Sequence, residues 1–121
     1  MTEIKLRRSY EAPTETDGCR ILVDRIWPRG VTKAELKLDA WLKELAPSTG
    51  LRRWFGHDPA RWLEFKKRYT QELQGHGDMV EDLRSRCRNG TVTLIYGAKD
   101  TEHNNAVVLR DYLEQVPERP S

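Results

Sequence analysis

Residues 91–96, Thr91-Val92-Thr93-Leu94-Ile95-Tyr96, constrain the fold more than any other stretch. The run is rich in β-branched and aromatic side chains and is bracketed by Asn89-Gly90 and Gly97. It is too short for a stable helix and too continuously apolar for a strand with one wet face. It therefore predicts a strand covered on both faces, which belongs to a parallel sheet with helices on its flanks. The segment that follows, from Gly97 to Asn104, is a polar turn leading into an amphipathic helix. In open α/β sheets, ligands sit outside the carboxyl ends of the strands, where this turn lies.

The rest of the chain supplies matching parts. Glu3 to Arg8 alternates, with Ile4 and Leu6 on one face, and predicts a first strand. Residues 10–18, with Pro13, Asp17 and Gly18, read as a loop. Cys19 to Ile26 predicts a second strand around Ile21-Leu22-Val23, stopped by Trp27-Pro28-Arg29-Gly30 because proline cannot donate to a ladder. Thr32-x-x-Glu35 has the form of a capping box. Residues 36–45 fit both periods; a strand near 37–43 is the preferred reading. Ser48 caps a short helix ending near Gly56, and Asp58-Pro59 is a helix start. Trp62, Phe65, Tyr69 and Leu73 then form one helical stripe, ended by Gly75 and Gly77. Met79 or Val80, with Leu83 and Cys87, marks another helix, closed by Asn89-Gly90. Ala106, Leu109, Leu113 and Val116 mark the last, starting near Thr101 or Glu102 and ended by Pro117. Strands separated by helices call for crossover connections. The expected fold is one α/β domain over 1–121: three layers, a small, mostly parallel sheet flanked by helices. Order is expected over about 3–116, with a short frayed C-terminal tail.

Composition narrows the function classes. The 121 residues carry 21 basic and 19 acidic side chains, so nothing demands nucleic acid. The charges are uneven, with 15 Lys/Arg against 10 Asp/Glu in residues 1–70. No apolar run approaches the roughly 18 residues of a spanning helix, and the N-terminus shows no apolar signal region. The expectation is a cytoplasmic protein without membrane partners. Cys19 and Cys87 lie far apart and read as small core side chains, as do most of the four tryptophans.

Three groups of residues can carry chemistry. In the turn, Lys99 offers a point charge and Asn104 a donor beside the free N–H groups of a helix start, a ready anion site. The competing reading is that Asp100 or Thr101 simply caps that helix. His103 adds the side chain whose charge changes nearest neutrality, so Asp100 and His103 are the acid–base candidates. At the end of the second strand, Arg25 and Arg29 can fork onto phosphate or carboxylate and Trp27 can stack on a planar ligand, provided strands two and four are adjacent and parallel. The alternative is that Arg25 pairs with an acidic neighbour, Trp27 packs as a cover and Arg29 lies in solvent. In the third group, His57-Asp58, adjacent residues seldom face each other and Asp58 is explained as a cap. There is no Walker A, GxGxxG, HExxH, Cys-x-x-Cys or nucleophile elbow. The three histidines are scattered, so neither a metal nor a cofactor is expected.

Four separated motifs carry a family resemblance: Asp24-Arg25-Ile26-Trp27-Pro28-Arg29-Gly30, Trp41-Leu42-Lys43-Glu44-Leu45-Ala46-Pro47-Ser48, Trp54-Phe55-Gly56-His57-Asp58-Pro59, and Leu94 to Asn104. In this order, over residues 3–116, they resemble the YeaO-like group within a domain family of unknown function. The resemblance implies a small bacterial or archaeal cytoplasmic α/β protein and transfers no catalytic residue. Longer relatives resemble one another in a Cys-His-Arg cluster just after the last strand. Here that stretch is Asn104-Asn105-Ala106, so the resemblance brings no thiol chemistry with it.

The leading expectation is an anionic-ligand pocket at the carboxyl strand ends. Arg25 and Arg29 clamp the anion, Trp27 walls it, and Lys99 and Asn104 complete it, with turnover left open. The alternatives are a nucleic-acid-binding module using the basic face of Arg52, Arg53, Arg61, Lys66, Lys67 and Arg68, or an adaptor presenting Trp54, Phe55 or Trp62. Oligomeric state is not legible.

Overall fold

The computed structural model describes residues 3–115. Four strands form one sheet: β1 (Ile4–Arg8), β2 (Cys19–Leu22), β3 (Ala40–Trp41) and β4 (Val92–Tyr96). Their order is β1-β4-β2-β3, and all three pairings are parallel. The helices are α1 (Lys33–Leu36), α2 (Thr49–Phe55), α3 (Trp62–Gln74), α4 (Gly77–Asn89) and α5 (Asn105–Glu114). The fold is α/β, as the strand and helix periods predict. The expected last stripe residue Val116, its stop at Pro117 and the tail lie outside the described residues.

β4 sits between β1 and β2, and every one of its residues is buried. Alternation divides the sheet's side chains between two cores. Ile21, Val23, Leu94 and Tyr96 join the larger core with Phe65, Tyr69 and Leu73 of α3, Val80 and Leu83 of α4, and Ala106 and Leu109 of α5. Leu22 and Ile95 face the other way, onto Leu36 of α1, with Trp27 and Trp41 packed beside them. The chain therefore leaves β2 toward one face and β4 toward the other. A crevice opens between their carboxyl ends.

Local chemistry explains most boundaries. Thr32 and Glu35 form the expected capping box, with bonds of 3.1 and 2.8 Å. The Ser48 hydroxyl accepts from the Leu51 N–H, and α2 ends at Gly56 in the left-handed region. Asp58 caps a 3-10 turn, Pro59–Arg61, that leads directly into α3. Gly18, φ 65°, enters β2 where any Cβ would lie 2.2 Å from the Thr91 carbonyl oxygen. No other residue fits there.

Four expectations are corrected. β2 ends at Leu22 rather than Ile26, because side chains replace strand partners beyond it. The Trp41 indole donates to the Asp24 carbonyl at 2.7 Å, and the Asn105 amide to the Val23 carbonyl at 2.9 Å. The third strand shrinks to Ala40–Trp41, since α1 ends in a left-handed Lys37 and a 3-10 turn begins at Lys43. The last helix starts at Asn105, not near Thr101. Asp100 first binds the N–H groups of Glu102 and His103, both at 2.9 Å, in a tight turn that delays the helix. Finally, all four tryptophans are half-buried rather than core. Their indole N–H groups or flanking cations hold them at the surface of the packing, as with the Trp27 bond to the Val31 carbonyl.

Candidate functional site

The crevice at the ends of β2 and β4 is a cleft of about 190 Å³. Asp24, Arg25 and Ile26 reach it from the end of β2, and Gly97 and Ala98 from the end of β4. Arg52 and Phe55 of α2, His57, Phe65 of α3, Pro47, and Asn104 and Asn105 at the start of α5 complete its lining.

Asp24 ties these elements together. One carboxylate oxygen accepts the Gly97 N–H at 2.8 Å; the other accepts the Asn105 amide at 3.1 Å. Burial raises the Asp24 carboxyl above its ordinary range, offset in part by those hydrogen bonds and by the nearby His57 and Arg52 side chains. Gly97 lets the backbone approach closely, because a Cβ at that position would stand 3.1 Å from the Asp24 oxygen and the carboxylate would have to shift.

Arg25 is fixed by backbone. Its Nε donates to the Pro47 carbonyl at 3.1 Å and an Nη2 hydrogen to the Ala46 carbonyl at 3.2 Å. Those carbonyls are held from α3: the Tyr69 hydroxyl donates to the Leu45 carbonyl, and Glu72 accepts from the Ser48 N–H and hydroxyl at 2.8 and 2.6 Å. A guanidinium has five N–H donors, so Arg25 keeps several for another acceptor. Arg52 is exposed; among the described residues its side chain has no hydrogen-bond or ion-pair partner and acts on Asp24 through charge. His57 is also exposed and adopts φ 57°, directly after Gly56 at 54°. A left-handed non-glycine residue is uncommon, and here it stands on the rim of a cleft.

The other residues singled out from sequence are placed as follows. Arg25 and Asn104 line the cleft; Trp27, Arg29, Lys99, Asp100 and His103 do not. Trp27 packs edge-on against Trp41 on the opposite face of the sheet, with centroids 5.4 Å apart. Arg29 and Lys99 are exposed. Asp100 and His103 pair with each other at 2.9 Å, and the N–H groups of Glu102 and His103 hold the Asp100 carboxyl below its ordinary range. Asn104 is buried, and its side chain is spent: the oxygen caps the Val107 N–H at 3.0 Å and the amide donates to the Asp100 carbonyl at 2.9 Å.

Sequence reasoning misses Asp24 and Asn105, gives Arg52 only a place in a basic face, and reads His57 as structural. Asp24 offered one signal, an acid at the end of a buried strand. The basic helical face is partly engaged. Arg61 and Arg68 flank Trp54 at 5.3 and 4.3 Å, Arg68 also binds Glu64 at 2.9 Å, and Lys66 lies 5.8 Å over Trp62. Among the described residues no cluster of three or more His, Cys, Asp or Glu could hold a metal ion. No helix there is long and apolar enough to cross a membrane.

A family model described as the inactive DUF488-N3 subclade matches residues 3–121. The chain is 41% identical over 113 residues to the uncharacterised protein YeaO of Escherichia coli K12, covering 93% of this chain and 98% of that one. It is 38% identical over 112 residues to the uncharacterised protein Rv3073c of Mycobacterium tuberculosis H37Rv, covering 93% and 94%. No solved structure matches. The chain thus belongs to the YeaO-like proteins of the inactive DUF488-N3 subclade, a family of unknown function.

Proposed function

We propose that this domain binds a small anion, a phosphate or carboxylate, in the cleft at the carboxyl ends of β2 and β4, and that it binds without turning the ligand over. The observation that carries the reading is Arg52, an exposed cation lining the cleft with no hydrogen-bond or ion-pair partner among the described residues, in the same lining as an Arg25 already oriented by two carbonyls. A pre-oriented guanidinium loses little freedom on binding, and a charge-assisted bond to it is among the stronger polar contacts. The start of α5, at Asn104 and Asn105, lines the same cleft, and the helix dipole there favours negative charge. Asn104 acts here as the cap that starts that helix, rather than as a ligand donor. Asp100 and His103 hold the preceding turn. The match to a subclade described as inactive supports binding without chemistry.

The test is a thermal-shift and calorimetric titration with inorganic phosphate, acetate and phosphorylated metabolites. Anions should stabilise the wild type, and Arg52→Ala, an exposed substitution, should weaken binding at least about tenfold. A wild type that no anion stabilises would overturn the reading. In the same series, a short nucleic acid probe at low salt should show no binding that Arg52→Ala leaves intact.

A further inference from the structure

The cleft has two unlike halves. Arg52 and His57 stand exposed at its mouth. Deeper in, Phe55 and Phe65 stack with centroids 4.2 Å apart and planes 19° from parallel, and both are almost fully buried. Ile26 lines the same cleft, and 56% of its surface is exposed. A large aliphatic side chain left open inside a concave site is an unfilled apolar contact. The half-buried Asp24 carboxyl, also in the lining, opposes entry of a negative group beside it.

We infer that the ligand is an anion with an apolar body, an aryl or branched-alkyl phosphate or carboxylate, bound with its charge at the mouth and its body inward. This inference rests on the reading of the cleft as an anion site. The charge meets Arg52 and the remaining donors of Arg25. The body lies between Ile26 and the edges of Phe55 and Phe65, where Asp24 keeps the anionic group from reversing the orientation. Size limits the class further. Pockets for drug-sized ligands start at roughly 300 Å³, so a cleft of about 190 Å³ takes a single ring with its charged group and not a dinucleotide.

Calorimetry with three probes tests this: inorganic phosphate, phenyl phosphate and benzyl alcohol, each against wild type, Arg52→Ala and Ile26→Ser. Phenyl phosphate should bind at least about tenfold tighter than inorganic phosphate, the gain expected from burying one apolar group. Ile26→Ser, at an exposed position, should narrow that gap severalfold by weakening phenyl phosphate more than inorganic phosphate. Arg52→Ala should weaken both anions. Equal affinity for the two phosphates would overturn the inference and leave the anion site standing. So would a gap that Ile26→Ser does not narrow. Benzyl alcohol binding as tightly as phenyl phosphate, or no binding by either phosphate, would overturn the anion site as well.

Discussion

Asp24 uses both carboxylate oxygens on groups more than seventy residues away, the Gly97 N–H and the Asn105 amide. Asp24→Asn puts a donor against a donor, which costs about 1–3 kcal/mol at a buried site. The raised carboxyl gives this a pH signature. A group whose pKa is higher folded than unfolded adds stability below its unfolded value and loses it as pH rises through the folded one. The wild type should therefore gain on Asp24→Asn as pH falls from 7 toward 4, measured as the difference in unfolding free energy by urea titration. Gly97→Ala acts on the same contact. Its new Cβ would press on an oxygen held from two sides, and the expected loss is about 1–3 kcal/mol with a lower Tm. At this scale the sequence was a partial guide. Arg25 could be named because arginine at a strand end is chemically conspicuous. Arg52 could not, because nothing local distinguishes a cleft-lining arginine from a solvated one.

Among the elements, α5 shows how competing caps decide a boundary. Asp100 and Asn104 are both good cap residues, four positions apart, and either could open the helix. Asp100 closes a turn on Glu102 and His103, and Asn104 takes the cap itself. Asn104→Ala should cost about 1–2 kcal/mol and speed amide exchange in the first turn of α5. Asn104→Asp keeps the acceptor for Val107 but loses the donor to the Asp100 carbonyl, so its effect should lie between those of wild type and alanine. The caps at Thr32, Ser48 and Asp58 were readable because each acts within three residues. The extent of β3 within the expected 37–43 strand was not, since it is limited to where Asp39 and Leu42 find the Arg20 and Leu22 carbonyls, at 2.8 and 2.9 Å.

Across the whole molecule, the two ends of the sheet carry acids with opposite shifts. Asp17, at the start of β2, is buried, which by itself would raise its carboxyl. The Thr14 backbone and hydroxyl, the Arg20 guanidinium and the Arg7 charge together hold it below the ordinary range. Arg20 binds it at 2.6 Å and also the Leu36 carbonyl at 3.0 Å, joining the sheet to α1. A lowered carboxyl adds stability above its unfolded value and loses it as pH falls through the folded one. Asp17 thus contributes to acid unfolding below about pH 3.8, and Asp17→Asn should flatten the curve there. At neutral pH that variant leaves Arg20 buried without its partner, a loss of about 3–5 kcal/mol by denaturant titration. By itself the sequence determined the α/β class, the buried strand Val92–Tyr96, the helical stripes and the caps, because periodicity and capping act over a few residues. Tertiary structure decided the strand order β1-β4-β2-β3 and with it the site. Setting β2 beside β4 brings Asp24 to Gly97 and α5, directs Arg25 onto the Ala46 and Pro47 carbonyls, and turns Trp27 to the opposite face. Those partners lie 21 to 81 residues apart along the chain, and only packing of the whole sheet and its helices can select them.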